Sequence, residues 1–541
     1  ALAPSAGTLS PTFDTNGLNY ALQVSLFDEQ VQLTPAAPEG AQITINGQAL
    51  TPGDTWTSPT LEPGENIVEI DVVRAGNIES VYAIMVVRGE PQLYVKGSHS
   101  SPSSYVGGSV ALSSDGMTMA IGSPGDSRDS TGAAGDSSAQ TSGAVYVFEK
   151  SNGTWSQQAY LKASNTQGAA RFGGSLALSA SGDTLVIGSA DESGAGAGVA
   201  ADQDACCALY SGAAYVFQRV NEQWSQQAYL KASNAEAVDE FGWAVALSGT
   251  GDTVVVGATG EDGGGTGIGA DEDDNELSGA GAVYVFQRNG SDWAQQAYVK
   301  PSEARGSEFG YAVALSKNGD TMVVGAPDGV GPTAGGADAD QYTGVAHVFQ
   351  RSSGAWSEQA LVAAAVPKDY DRFGNAVSLS EDGLTLAVGA DGEADIGAVH
   401  IFQRSGSTWT HLARLTASNG EVDDAFGSAV SLSAAADLIA IGAPGEAGAL
   451  VAWDADLSDN AAPGAGAVYV FRRDETNWIQ ELYIKALNAG AGDSFGSAVD
   501  LSANAETLVV GAPWEGGNGT GFDANPNDNS SDACGAAYVV H

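Results

Sequence analysis

The chain has 541 residues and carries 66 Asp+Glu against 21 Lys+Arg, a net charge of −45. That balance excludes a nucleic-acid binder, which needs a basic surface against phosphate, and disfavours docking on anionic lipid; it suits divalent cations, saline surroundings, or both. Only 16% of residues are charged and 43% are hydrophobic, so sizeable cores can form, while 72 glycines and few helical patterns point to turns and short strands. The length suggests about two to four domains. No apolar run approaches the ~20 residues of a membrane span, so no membrane insertion is expected. No signal peptide stands at Ala1, which reads as a mature form or as a signal lying outside the sequence. Cys206, Cys207 and Cys534 are too few, and odd in number, for a disulfide scaffold; free or loosely paired thiols and a strained Cys206–Cys207 bridge are the readings left open.

Residues 1–89 contain alternating runs, Gln42-Ile43-Thr44-Ile45-Asn46 and Ile67-Val68-Glu69-Ile70-Asp71-Val72, with turns at Asn46-Gly47, Pro52-Gly53 and Pro63-Gly64. Period-two alternation bounded by such turns predicts a small β-sandwich. Arg88-Gly89-Glu90-Pro91 reads as a linker, and 90–541 as a second domain.

That second stretch is an internal repeat. One anchor recurs seven times: VGGSVALS from Val106, FGGSLALS from Phe172, FGWAVALS from Phe241, FGYAVALS from Phe309, FGNAVSLS from Phe373, FGSAVSLS from Phe426 and FGSAVDLS from Phe495. A second anchor (IGSP, VGAT, VGAP and variants) follows, its glycine always 15 residues after the first, as in Gly107 to Gly122. A third is an apolar run such as GAVYVF from Gly143. A fourth begins at Trp155, Trp224, Trp293, Trp356, Trp409 and Trp478 and runs into QQAYLK-like sequence. Each unit thus holds four strands, A to D, with short hairpin turns between A and B and between C and D. Four-stranded antiparallel units at this period describe β-propeller blades. The last unit ends at His541 before any D segment, whereas Gln92 to Ser98 resembles Ala159 to Ser164. Residues 91–98 are therefore expected to supply the outer strand of the seventh blade, an all-β fold closed by strand exchange that removes the open seam. The glycine of each FG pair is expected to allow close approach near the axis, and the Phe to fill the gap between blades.

These anchors resemble FG-GAP repeats, the units of the integrin alpha-subunit propeller and of many bacterial surface proteins, over about residues 91–541. Leu9 to Phe13, Tyr20, Asn46-Gly47, Gly64-Glu65-Asn66 and Tyr82 to Arg88 make residues 1–89 similar to the bacterial cadherin-like β-sandwich family. The resemblance speaks to fold more than to function. Integrin-type blades often bind calcium in an A–B loop of the form D-x-D/N-x-D-G. Here that hairpin is short, as in Ser114-Asp115-Gly116, so the site is not carried over.

Acidic residues crowd the B–C loops instead. Counting from the strand B glycine, an acid stands at the fourth residue in Asp126, Glu192, Glu261, Glu446 and Glu515; Asp328 stands one earlier. A second cluster, at twelve to sixteen, holds Asp136, Asp202, Asp204, Asp271, Asp273, Asp338, Asp340, Asp454, Asp456, Asp523, Asn525 and Asn527. Alternate oxygens along a glycine-rich loop can converge on Ca²⁺, which takes six to eight of them; plain solvated acidity is the competing reading. The fifth unit's loop, Asp391 to Ile396, reads as too short for a site. Strand alternation places B–C and D–A loops on one face, where Asp239, Glu240, Glu308, Asp371, Asp423, Asp424 and Asp493 add charge.

His99, His347, His400, His411 and His541 are scattered and read as packing residues; the tryptophans of strand D read as structural, with sugar stacking as the alternative. No nucleophile elbow, zincin or phosphate-loop motif is present. The expectation is a secreted or cell-surface, non-catalytic adhesion or structural protein with Ca²⁺-stabilised loops. Its partner would be a protein or glycan at the loop-rich face, with self-association into a filament or surface assembly as a specific form. The alternative is a carbohydrate-binding or polysaccharide-processing propeller, marked by exposed aromatic or carboxylate pairs that break the seven-fold pattern.

Overall fold

A computed structural model describes the chain except for residues 1, 8, 12, 14–18, 39, 75–76, 90–91, 129–137, 200, 204, 206, 303–306, 331–341, 450–458 and 523. Two compact units emerge: Ala1–Leu93 with Val540–His541, and Tyr94–Val539. Apart from one 3-10 turn at Glu393–Asp395, the regular elements among the described residues are strands.

The first unit is a two-sheet sandwich. Its larger sheet runs in the order Leu9–Ser10, Asn19–Val24, Asn77–Arg88, Gly64–Arg74, Ala41–Ile45 and Gln48–Leu50; Leu2–Pro4, Gln32–Pro35 and Trp56–Thr57 form the smaller one. Alternation decides which residues face inward: Leu22, Ile43, Ile84 and Val86 from one sheet bury against Leu33 and Trp56 from the other. Asn46-Gly47 turns the Ala41–Ile45 hairpin with both residues at positive φ (48° and 77°), as a tight two-residue hairpin requires.

Among the described residues the second unit contains seven four-stranded sheets, antiparallel in all pairs of six of them and between Ala498–Leu501 and Leu508–Ala512 in the other. In six of them A, B, C and D are consecutive, as in Ser175–Leu178, Thr184–Ser189, Ala213–Val220 and Gln223–Leu230. The remaining sheet joins Ala498–Leu501, Leu508–Ala512 and Ala536–Val540 to Leu93–Val95, which takes the D position. Strand B is buried throughout, as its continuous apolar sequence demands.

The A–B hairpins are tied into a cycle. Ser114 N–H donates to the Ala180 carbonyl, Ala180 to Gly249, Gly249 to Lys317, Lys317 to Glu381, Glu381 to Ala434, Ala434 to Ala503 and Ala503 back to Ser114, at 2.9–3.3 Å. The innermost strands touch in the same cyclic order, Val110–Leu112 against Ala498–Leu501 included.

The two glycine anchors explain one another. A Cβ on Gly188 would lie 2.1 Å from the Gly242 carbonyl oxygen of the next blade, and one on Gly511 would lie 2.0 Å from that of Gly107. Gly242 itself sits at φ +97°, where other residues are strained. Each Phe of an FG pair bridges backbone to the glycine opening strand C of the preceding blade (Phe172 to Gly143, Phe241 to Gly212), with Val106 meeting Gly535. Its ring packs on strand C of its own blade, Phe241 on Tyr284 with centroids 5.3 Å apart. Where strand C carries His347 or His400, that ring takes the tyrosine's place against Phe309 or Phe373.

The strand D tryptophans act the same way. The indole N–H donates to a glutamine on the preceding blade: Trp224 to Gln158, Trp293 to Gln227, Trp356 to Gln296 and Trp409 to Gln359, at 2.7–3.1 Å. Strand C arginines cover the rings of Trp224, Trp293 and Trp356. Of the cysteines, Cys207 is disulfide-bonded and Cys534 is free and buried; Cys206 lies outside the described residues.

Candidate functional site

The fourth-position acids of the B–C loops do not face a common space in the loops. They turn inward and are 0–2% exposed. Each meets a lysine from a strand D segment: Glu192 with Lys231 at 2.9 Å, Asp126 with Lys162 at 3.2 Å, Glu515 with Lys96 at 2.5 Å, and likewise Glu261 with Lys300 and Glu446 with Lys485. Lys231 Nζ also donates to the Gly212 carbonyl (2.6 Å) and the Ser211 hydroxyl (2.7 Å), and Lys96 Nζ to the carbonyls of Gly517 and Gly535 (both 2.7 Å).

The carboxylates collect further donors. Tyr160, Tyr229, Tyr298 and Tyr483 donate to Asp126, Glu192, Glu261 and Glu446 at 2.6–3.1 Å. Asn165, Asn234 and Asn488, from the chain entering the blade, donate to Glu192, Glu261 and Glu515 at 3.0–3.2 Å, and accept from the strand C hydroxyls of Tyr215, Tyr284 and Tyr538 at 2.6 Å. Burial pushes Lys231, Lys300 and Lys485 below the ordinary lysine range while the facing glutamate pulls them back. Burial and the neighbouring carboxylate raise the tyrosines well above theirs, so they remain protonated donors. A buried charge needs such a full set of partners.

These five acids therefore belong to an ion-pair network inside the blades, a placement the loop reading did not anticipate. Their oxygens are taken by lysine, tyrosine and asparagine, and they do not fit a shared cation. The lysines were legible as the repeated ending of strand D, and Lys96 as the counterpart of Lys162. What tied them to the acids is a constant separation, 39 residues in Glu192–Lys231, Glu261–Lys300 and Glu446–Lys485. The fifth unit's Glu393 also keeps the fourth position, with other cations: His400 Nε2 at 2.7 Å and Arg414 Nε at 2.6 Å.

The second cluster lies apart. Asp202, Asp271, Asp273, Asn525 and Asn527 are exposed. Asp271 accepts the Asp273 N–H at 3.2 Å and Asn525 the Asn527 N–H at 3.1 Å, so alternate acidic or amide residues cap a turn locally. One residue further on, Asp274 and Asp528 cap in the same way. Asp136, Asp204, Asp338, Asp340, Asp454, Asp456 and Asp523 lie outside the described residues. Among the described residues, no group of three or more His, Cys, Asp or Glu is placed to hold a metal ion. The D–A acids also cap turns: Asp239 accepts the Glu236 N–H, Asp424 that of Glu421 and Asp493 that of Gly490, at 2.7–2.8 Å. Burial pushes all three carboxyls up to about 6.

Departures from the repeat gather where the D–A and B–C loops approach the strand A entrances. Trp514 stands third after its strand B glycine, where the other units have Gly125, Asp191, Gly260, Asp328, Gly392 and Gly445. It is 54% exposed and meets Tyr105 edge-on, centroids 5.0 Å apart. Trp243, 39% exposed, lies 5.5 Å from Tyr311. An arginine–aspartate pair accompanies each: Arg171 with Asp191 (3.1 Å) and Arg372 with Asp391 (3.0 Å), Arg372 also bonding the Tyr311 hydroxyl at 3.3 Å. Asp328 belongs here too; with Glu240 and burial it raises the Glu308 carboxyl above its usual range.

Residues 224–267, 356–402, 409–471 and 478–540 match the FG-GAP repeat, and residues 3–89 match the cadherin-like beta sandwich domain. Each of the four repeat matches starts at a strand D tryptophan, so the repeat is phased D-A-B-C, one strand out of step with the sheets. The chain thus carries a cadherin-like β-sandwich followed by FG-GAP repeats in a propeller-like array. The fold is similar to that of the Pseudomonas aeruginosa periplasmic gluconolactonase PpgL (TM-score 0.43, 12% identity, 79% of this chain and 93% of that one). It is also similar to the RRP9 WD40 repeats (0.46, 11%, 83% and 96%) and to Chaetomium thermophilum Sqt1 (0.42, 16%, 78% and 82%). No curated protein matches the sequence. The two domain types fit an adhesion or structural extracellular protein, and among the described residues no helix is long and apolar enough to cross a membrane.

Proposed function

We propose that this chain is a secreted or cell-surface, non-catalytic protein that holds an adhesive or assembly contact on the loop face of its propeller, a subunit of an extracellular filament or surface layer being its specific form. The observation that carries the reading is the way the repeat uses its polar residues. Glutamate, lysine, tyrosine and asparagine are turned inward to fasten each B–C loop within its own blade and tryptophan to fasten blade to blade, while two exposed tryptophans that escape the repeat, Trp243 and Trp514, stand beside the strand A entrances. A rigid ring with one individual face is suited to presenting a contact surface. The net charge of −45 favours cationic or neutral partners on that face over polyanions.

Size-exclusion chromatography and electron microscopy across a calcium series test the assembly; isolated monomers under every condition would count against the filament. Incubation with polysaccharides and measurement of released reducing ends tests the absence of catalysis, and turnover would replace this reading with an enzyme. Calcium stabilisation of the loops is a separable part of the proposal. Without the fourth-position acids it rests on exposed carboxylates such as Asp202, Asp271 and Asp273, which a cation would have to gather. A melting temperature unchanged by chelation, with no metal by elemental analysis, removes calcium and leaves the adhesive reading standing.

A further inference from the structure

We infer that the loop-face mouth of the propeller is a binding site for neutral polysaccharide, seated on the Tyr105–Trp514 pair and, further round the ring, on Trp243–Tyr311. This deepens the adhesive reading by giving its loop face a ligand class. The first pair borders a cleft of about 390 Å³ shared by successive blades, with Pro124 and Pro513 in its walls and Arg171 and Thr141 at its polar edge, a volume in the range of small-ligand sites.

Three observations choose the occupant. The aromatic rings are exposed where the strand D tryptophans are turned in: Trp514 is 54% exposed and Trp243 39%, against 6% for Trp155, Trp293 and Trp356. An open aromatic face is negative at its centre and attracts the weakly positive C–H face of a pyranose. Beside Trp514 the backbone closes up under the Tyr105 ring: a Cβ on Gly125 would lie 1.9 Å from the Ser103 carbonyl oxygen and 2.6 Å from Tyr105 Cδ2, so the ring is held firmly in place. Polar recognition comes as ion pairs: Arg171–Asp191 and Arg372–Asp391 each present guanidinium donors beside carboxylate acceptors, with Glu240, Glu308 and Asp328 adding negative charge nearby. That combination suits hydroxyl groups, which donate and accept. It offers no excess positive charge to a uronic acid, and the overall −45 opposes one. The same pairing, two rings with one arginine–aspartate couple, occurs twice within an otherwise seven-fold pattern, as a polymer occupying successive subsites would use it.

The backbone at the strand A entrances is common to all seven units and gives the site its frame. The residue before each FG-type anchor (Tyr105, Arg171, Glu240, Glu308, Arg372, Ala425 and Ser494) holds φ between 51° and 58° without being glycine. Such conformations persist where the surrounding structure over-determines them, and here they fix Tyr105, Arg171 and Arg372 at the entrance.

Affinity electrophoresis of the full chain through gels containing dextran, mannan or laminarin, with alginate as the acidic counterpart, tests this. Retardation by at least one neutral polymer is expected. Trp514→Ala should weaken it at least tenfold and Trp514→Ala/Trp243→Ala should abolish it, both variants keeping the wild-type melting temperature because these rings are exposed. No retardation by any neutral polymer, undiminished retardation of the double variant, or stronger retardation by alginate would overturn the site. Assembly is scored on the same preparation. A chain that assembles but binds no glycan loses the site and keeps the adhesive reading; a chain that binds through Trp514 and also releases reducing ends keeps the site and loses the non-catalytic reading.

Discussion

The third and fourth blades solve the same packing problem in opposite ways. In the third, Glu261, Tyr298 and Lys300 form a buried hydrogen-bonded ion pair beneath the B–C loop. In the fourth, the corresponding positions are Gly329, Leu361 and Ala363, and charge is absent from all three. Both sheets have the same strand order and the same internal register. The ion pair is therefore not needed to form a blade, and where the fifth blade keeps the acid without the tyrosine and lysine, Glu393 takes His400 and Arg414 as its cations instead. This is the behaviour of a buried network in which a lone survivor costs more than the whole set returns.

The largest effect is expected from Lys96→Met, which strands Glu515 without its cation across a contact linking residues far apart in sequence; a loss of about 3–5 kcal/mol in chemical denaturation is expected, with faster amide exchange in Ala536–Val540. Lys300→Met should lose a similar amount, since it leaves Glu261 buried and uncompensated. The double variant Glu261→Leu/Lys300→Met should lose less, about 1–3 kcal/mol from the orphaned Tyr298 hydroxyl, since the Asn234 amide keeps its bond to the Glu272 carbonyl. A double variant less stable than the single would show that the network is more than a self-compensating set.

A gain is expected at the rim. The Trp478 indole N–H is buried without a partner, because Leu412 stands where the preceding blades offer Gln158, Gln227, Gln296 and Gln359. Leu412→Gln should supply the acceptor and add about 0.5–1.5 kcal/mol, read as a rise in the denaturation midpoint.

The smallest effect is a pH slope. Asp239, Asp424 and Asp493 titrate near 6 when folded, against an ordinary value of 3.8. The folded chain thus binds protons more readily than the unfolded one between those values. The contribution is complete below about 4 and is lost as pH rises through about 6. Asp239→Asn, whose side-chain oxygen can still accept the Glu236 N–H, should flatten the fall in melting temperature across that window; an identical slope in variant and wild type would refute the assignment.

The four strands per unit were legible in the sequence because turn chemistry and apolar runs are local signals. The seven-fold count rested on a fixed spacing of two glycines, which the structure explains as backbone contact between neighbouring blades at Gly188 and Gly242. The equivalence of Lys96 and Lys162 was readable for the same reason. The candidate site was only half legible. Glu192 and Asp202 sit ten residues apart in one loop, and sequence alone gives both the same chemistry. One turns inward to Lys231 and the other stays in water. The mouth was missed because Trp243 and Trp514 each look like one substitution in a repeat.

Composition, spacing and turn residues thus determined the class of fold, the four strands of each repeat and the surplus of negative charge, all properties that short stretches of chain carry by themselves. Tertiary structure decided which charges are buried and paired, and which aromatic side chains from blades distant in sequence meet at the mouth. Those outcomes depend on dielectric surroundings and on contacts between segments tens to hundreds of residues apart, quantities that exist only once the ring has brought them together.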